Sequence, residues 1–198
     1  NVEVSALGVV SGVARSHGLP LVVDSRFPTR YLLNPLIDGA DVVVHSLTKW
    51  LGGHGTAIGG IVVDGGKFDW SAGRHPLFTE PDASYHGLRW ALDLGDKNDI
   101  AFILRMRTVP LRNLGACISP DNAWIFLQGL ETLHLRMERH CENASKAARF
   151  LEAHPRVNWV RYPGLPQDPS FSVGRGYLDD GAGGVVVFGS EGGGEGGK

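Results

Sequence analysis

The sequence predicts an α/β fold, a sheet with helices on its faces, and three observations carry that prediction. A segment of helical periodicity opens the chain, three short β-branched runs follow at 21–23, 42–44 and 61–63, and helical patterns return after position 119. Short, continuous apolar runs bounded by Gly, Asp and Pro are what strands buried on both faces look like. A helix followed by several such strands builds a layered sheet.

Ala6, Val10, Val13, Ala14 and His17 recur at helical spacing, and Gly18 stands where a left-handed helix cap falls. After Pro20, Leu21-Val22-Val23 ends at Asp24, Val42-Val43-Val44 ends in His45-Ser46, and Ile61-Val62-Val63 forms the third run. From Asp64 to about Ala101 the pattern is irregular but holds Phe68, Trp70, Phe78, Tyr85 and Trp90. A loop of that length is functional or disordered, and five large rings argue for order. Ser119-Pro120 reads as an N-cap followed by proline at the first helical position, ahead of an apolar stripe of Ala123, Phe126, Leu127 and Leu130. A second helix from about Leu135 to Ala153 carries Met137, Cys141, Ala144, Ala148 and Leu151 on one side and stops at His154-Pro155. Val157–Val160 and Val185–Phe188 read as strands of a second, smaller unit. The domain boundary is placed near Thr132, giving a unit over 1–132 and another over 133–198.

The chain has 198 residues, 42% hydrophobic and 20% charged, with a formal net charge of −2. That length allows a sizeable core. The near-neutral balance argues against nucleic-acid binding, which needs a clustered Lys/Arg surface. No run of 18 apolar residues exists, so no membrane-spanning segment is expected, and the start has no signal-like core. Cys117 and Cys141 supply neither a disulfide framework nor a four-ligand zinc site. A cytoplasmic location is the expectation. The 28 glycines are about twice the usual share of roughly 7%. The start at Asn1 and the tail from Gly192 to Lys198 read as a piece of a longer protein.

Most candidate sites dissolve on inspection. Gly60 and Gly65 have the gap of a phosphate-binding loop, but Gly66 stands where its lysine is required. Gly53-His54-Gly55 leads to Ile58, so the dinucleotide fingerprint fails too. His134 and His140 lie six residues apart and point to different helix faces, and no metal site is expected. His45 at a strand end reads as a core or rim residue, and Cys141 as a small core residue.

Ser46-Leu47-Thr48-Lys49 is different. It leaves one strand run, as Asp24 ends the run before it, and open α/β sheets bind ligands at such strand ends. A lysine to condense with an aldehyde, a carboxylate for a pyridinium nitrogen, and hydroxyls for a phosphate are what pyridoxal phosphate needs.

The motifs extend further. Asp24, Asp41-Val-Val-Val-His-Ser-Leu-Thr-Lys49 and Gly52-Gly53-His54-Gly55 resemble the Cys/Met-metabolism family of pyridoxal-phosphate enzymes. Asp64-Gly-Gly-Lys-Phe-Asp-Trp70, Phe78-Thr-Glu-Pro-Asp82 and Ser84-Tyr-His-Gly87 are similar to the long insertion of its O-acetylhomoserine sulfhydrylase subgroup. Leu114-Gly-Ala-Cys-Ile-Ser-Pro120, Gln128-Gly-Leu-Glu-Thr-Leu133, Leu135-Arg-Met-Glu-Arg-His140 and Tyr162-Pro-Gly-Leu165 continue the likeness over nearly the whole chain. After Asp24 the family reads Asn-Thr-Phe-Ala-Thr-Pro, whereas this chain has Ser25-Arg26-Phe27-Pro28-Thr29-Arg30, with two added arginines and a moved proline.

The resemblance implies the type I pyridoxal-phosphate-dependent transferase fold. Residues 1–132 would be part of its three-layer α/β/α cofactor-binding domain, and 133–198 part of a smaller α+β C-terminal domain. Pyridoxal 5'-phosphate would be held by Lys49, with Asp24 on the ring nitrogen and Ser46 and Thr48 on the phosphate. O-acetylhomoserine and sulfide would be the small-molecule substrates, giving homocysteine and acetate, in a homo-oligomer of the methionine-biosynthesis class. A cystathionine γ-synthase or γ-lyase shares the same residues and is the alternative. A non-catalytic piece that only associates with other chains is the alternative of another class. Family members are about twice this length, and the resemblance places their phosphate loop, ring-stacking tyrosine and carboxylate-binding arginine outside these residues.

Overall fold

The computed structural model describes residues 3–178 and 181–192, so the glycine-rich tail from 193 onward lies outside the described residues. Helix α1 (Leu7–Ser16) buries Leu7 and Ser11 and ends before Gly18, which takes the left-handed conformation at φ 62°. Strands β1 (Val22–Asp24), β2 (Val42–Ser46) and β3 (Gly60–Asp64) form one sheet in the order β1-β2-β3, with the short helix α2 (Thr29–Leu32) between the first two. β1 runs parallel to β2, with Val22 against Val42 and Asp24 against Val44. β3 runs antiparallel to β2, with Ser46 against Gly60 and Val42 against Asp64.

The β-branched runs do become strands, but only β2 is substantially buried. Val42 and Val43 are about fully enclosed, whereas Val22 of β1 and Ile61 of β3 are exposed. β2 is the central strand, flanked by β1 and β3, whereas β1 and β3 lie at the sheet's edges.

Residues 64–114 form an ordered region with its own aromatic core. Trp70, Phe78, Trp90, Ala91 and Ala101 are buried together, with Phe68, Tyr85 and Phe102 packed around them. The Trp70 and Phe102 rings stack at 5.3 Å, and Asp82 accepts from Trp90 Nε1 at 2.9 Å. The helices here are short: α3 (Pro76–Thr79), α4 (Ala101–Met106) and α5 (Arg112–Leu114).

Helix α6 (Pro120–Glu131) begins as its sequence predicts, with the Ser119 hydroxyl accepting from the Asn122 amide at 3.2 Å. Only Phe126 and Gly129 of α6 are buried, and the expected stripe residues Leu127 and Leu130 are exposed. Helix α7 (Leu133–Glu152) buries Met137, Cys141, Ala144 and Ala148 along one face, the helical spacing read from the sequence. Beyond it β4 (Val157–Arg161) pairs antiparallel with β5 (Val187–Ser190), and α8 (Phe171–Tyr177) lies between them in the chain. β5 starts two residues later than the valine run suggests, and Val186, just before it, packs against the Ala144–Tyr162 core cluster.

Candidate active site

Because Asp24 stands opposite Val44 in a parallel pair, the carboxyl ends of β1 and β2 share one edge of the sheet. Beyond Ser46 the backbone enters a wide, π-helical turn over Leu47–Leu51, and Lys49 interrupts it with φ −93° and ψ −126°. The turn is closed by Gly52 N–H on the Leu47 carbonyl at 2.9 Å and Gly53 N–H on the Lys49 carbonyl at 2.8 Å. It is tied to the start of β3 as well. Leu47 N–H donates to the Gly59 carbonyl at 2.9 Å, and the Thr48 hydroxyl accepts from Gly59 N–H at 3.0 Å and donates to the Gly59 carbonyl at 3.3 Å. Lys49 itself is exposed and makes no ion pair among the described residues.

Lys49 lines a hollow of about 300 Å³ with Phe27, Thr48, Trp50, Gly53, Gly55 and His140. The Trp50 and His140 rings meet at 4.6 Å, which fastens α7 to the lysine turn. Asp24 does not open into that hollow. It lines an adjoining one of about 210 Å³, and Phe27 is a wall common to both. The segment that carries Phe27 is fixed by Thr29, fully buried at φ 57°, a left-handed conformation rare for a β-branched residue. Its hydroxyl accepts from the Tyr31 amide at 3.2 Å.

Asp24 is paired with Arg26 through both Nε, at 2.9 Å, and Nη2. Hydrogen bonding from that guanidinium holds the Asp24 carboxyl below the usual carboxylate range, against the opposing effect of desolvation. Next to it, Ser25 is enclosed and its Oγ has no partner, while its carbonyl meets His45 Nδ1 at 3.0 Å. His45 thus braces β2 against the segment after β1, a structural role matching the core-or-rim reading. The pairing of Arg26 with Asp24 is not evident from the sequence pattern, since two residues of opposite charge two apart are common.

The glycine cluster has a packing role that its sequence does not announce. A Cβ at Gly52 would lie 2.7 Å from Phe126 Cδ1, and one at Gly59 would lie 2.6 Å from Phe126 Cε2. Phe126 of α6 is therefore seated on the glycines that flank the lysine turn. Among the described residues no cluster of three or more His, Cys, Asp or Glu is placed to hold a metal ion, and no helix is long and apolar enough to cross a membrane. Cys117 is exposed and Cys141 buried, both as free thiols.

The model of the Cys/Met metabolism pyridoxal-phosphate-dependent enzymes matches residues 1–196. The chain belongs to that family. It is 54% identical over 187 residues to an O-acetyl-L-homoserine sulfhydrylase of Leptospira meyeri, a match covering 91% of this chain and 42% of the relative. It is 47% identical to O-acetyl-L-homoserine sulfhydrylase 1 of Thermus thermophilus, over 94% of this chain and 44% of the relative. Among solved structures, a Campylobacter jejuni protein named as an O-acetylhomoserine (thiol)-lyase superposes with a TM-score of 0.87 at 36% identity. That match covers 95% of this chain and 45% of the other, which carries a pyridoxyl-lysine monophosphate residue. A cystathionine γ-lyase of Lactobacillus plantarum gives a TM-score of 0.71 at 28% identity, over 96% of this chain and 41% of that one. The chain thus spans less than half the length of these relatives, and its fold is part of the type I fold of pyridoxal-phosphate enzymes.

The residues present fit the family's cofactor. An amine free of ion pairs lies in a hollow with two aromatic walls, a carboxylate kept anionic lies at the neighbouring strand end, and an enclosed hydroxyl without a partner lies beside it.

Proposed function

We propose that the complete protein catalyses a γ-replacement in which O-acetylhomoserine and sulfide give homocysteine and acetate. The observation that carries this reading is the position of Lys49, unpaired, on a turn at the carboxyl edge of the parallel strands β1 and β2. The names of the relatives above support the choice of substrate. When bound, pyridoxal phosphate supplies an electron sink for negative charge developing at the carbons of an amino-acid substrate. Lys49 Nζ would hold the cofactor covalently and, once released, move protons at the substrate's Cα and Cβ. Asp24, kept anionic, would keep the ring nitrogen protonated. Ser46 and Thr48 would donate to the phosphate. Ser46 is the freer of the two, because Gly59 already engages the Thr48 hydroxyl. Phe27, Trp50 and His140 would form the walls beside the lysine, which stays open to solvent in this chain. Acetate leaves from Cγ, and the sulfur of sulfide bonds to the same carbon.

The same reading includes a cofactor-binding domain over 1–132, a smaller domain over 133–198, and self-association. It is tested with the full-length protein and a Lys49→Ala variant, each mixed with pyridoxal phosphate and followed by visible absorption. A bound-cofactor band in the parent that the variant lacks, followed by homocysteine and acetate in equal amounts, is the expected result. A band that survives the substitution overturns the role of Lys49. Cystathionine formed when cysteine replaces sulfide, with no homocysteine from sulfide, or a 2-oxoacid and ammonia formed without any added nucleophile, would instead assign the chain to another reaction of the family.

A further inference from the structure

Arg136, on the first turn of α7, is a cation bound to neutral oxygens. Nη1 donates to the Trp50 carbonyl at 2.7 Å. Nη2 donates to the Leu51 carbonyl at 3.3 Å and the Gly129 carbonyl at 2.7 Å. Nε donates to the Thr132 hydroxyl at 3.1 Å. It makes no ion pair among the described residues.

The acceptors explain the arrangement. Trp50 and Leu51 are the last residues of the lysine turn, and Gly129 lies in the last turn of α6. Carbonyls at such ends have no partner further along the helix and carry the negative end of its dipole. One planar guanidinium, with five donors in a fixed fork, satisfies both ends at once. Two glycines make room for it. A Cβ on Gly53 would fall on the guanidinium, and one on Gly129 would fall on the Gly52 carbonyl. Gly53 also takes φ 74°, open to glycine at little cost.

From this junction we propose that Arg136 is the positioning residue for Lys49. By gripping the two carbonyls that follow it, Arg136 fixes the backbone from which the lysine side chain departs. The proposal rests on the reading of Lys49 as the cofactor lysine. It assigns Gly53 to seating the guanidinium and Gly129 to the close approach of α6 to the turn, and not to cradling a phosphate.

The test uses the full-length protein with Arg136→Ala, Arg136→Lys and Thr132→Val, beside the Lys49→Ala control. Amide hydrogen exchange is measured at Gly52 and Gly53 without cofactor, and the pH midpoint of the visible band is measured with it. Losing charge-assisted bonds should speed exchange at these two amides roughly tenfold or more in Arg136→Ala. Protection along α7 beyond Cys141 should stay, and the band's midpoint should move. Lysine keeps the charge and loses the fork, so Arg136→Lys should shift both readouts the same way by less. Unchanged exchange and midpoint in Arg136→Ala overturn the proposal. So does a uniform rise in exchange through α6 and α7, which marks a general structural role. If Arg136→Ala fails to fold, the lysine and Thr132→Val variants are held to the same two outcomes. A parent protein without a band, or a Lys49→Ala variant that keeps it, defeats the cofactor reading. A normal band with Arg136 variants that change nothing defeats the positioning role alone.

Discussion

Replacing Tyr162 with phenylalanine should change stability by an amount that depends on pH in a calculable way. Tyr162 is 1% exposed. Its ring packs against Ala144, Ala148 and Leu165, and its hydroxyl points at the Gly183 carbonyl at 3.1 Å and the Cys141 carbonyl at 3.3 Å. A phenol has one proton, so it donates fully to one of these at a time, and losing it should cost roughly 1 kcal/mol near neutral pH. Burial pushes the phenol from its ordinary value of 10 up to about 12. The folded protein therefore holds its proton where the unfolded chain has lost it, so this stability is intact below pH 10 and falls as pH rises towards 12. Each unit in that window removes about 1.4 kcal/mol from the parent and nothing from the variant. The two should be equally stable near pH 11, since about one unit of titration cancels roughly 1 kcal/mol of hydrogen bonding. Urea unfolding of parent and Tyr162→Phe at a series of pH values from 8 to 11 reads this directly. Curves that keep a constant gap over that range would show that the hydroxyl is not shielded from water, and the reasoning would fail.

Two further outcomes follow from the packing and the site. Arg26→Ala should raise the Asp24 titration towards the ordinary carboxylate value, as followed by carbon NMR, and an unmoved titration would dismiss the pair. The pair's stabilisation is present above that range and lost as pH falls through it, and since both partners are half exposed it should be small and weaken with added salt. Met137→Ala, at a fully buried site beside Leu32 and Cys141, should cost about 2–5 kcal/mol in thermal or urea melting. A loss under about 1 kcal/mol would mean that Leu32 and Cys141 collapse into the space.

What the sequence makes legible here is what local chemistry determines. The Ser119-Pro120 start, the left-handed Gly18 and the stop at His154-Pro155 depend on residues within a turn of one another, and each appears where expected. The buried face of α7 follows from its periodicity. The aromatic core of 64–114 does not, because Trp70, Phe78, Trp90 and Ala101 meet without a repeating interval. The exposure of Val22 depends on which neighbours cover β1, and no feature of a valine run encodes that. At the site, Asp24, Ser46, Thr48 and Lys49 stand out only as a set, because they fall at the ends of neighbouring strand runs and within motifs that resemble one family; none of them is distinctive by residue type alone. Arg136 does not stand out, because three of its four acceptors are main-chain carbonyls, which every residue possesses.

The reversal of direction between β2 and β3 sets what can vary near the lysine. β3 enters the sheet at Gly60, beside Ser46, and leaves at Asp64, beside Val42. The region that follows β3 is therefore attached to the rim away from the lysine turn, about 14–17 Å along the strand, and none of the residues walling the Lys49 hollow belongs to it. A change of length within 64–114 would enter the sheet at Asp64, four rungs from the Ser46–Gly60 pair beside the lysine turn.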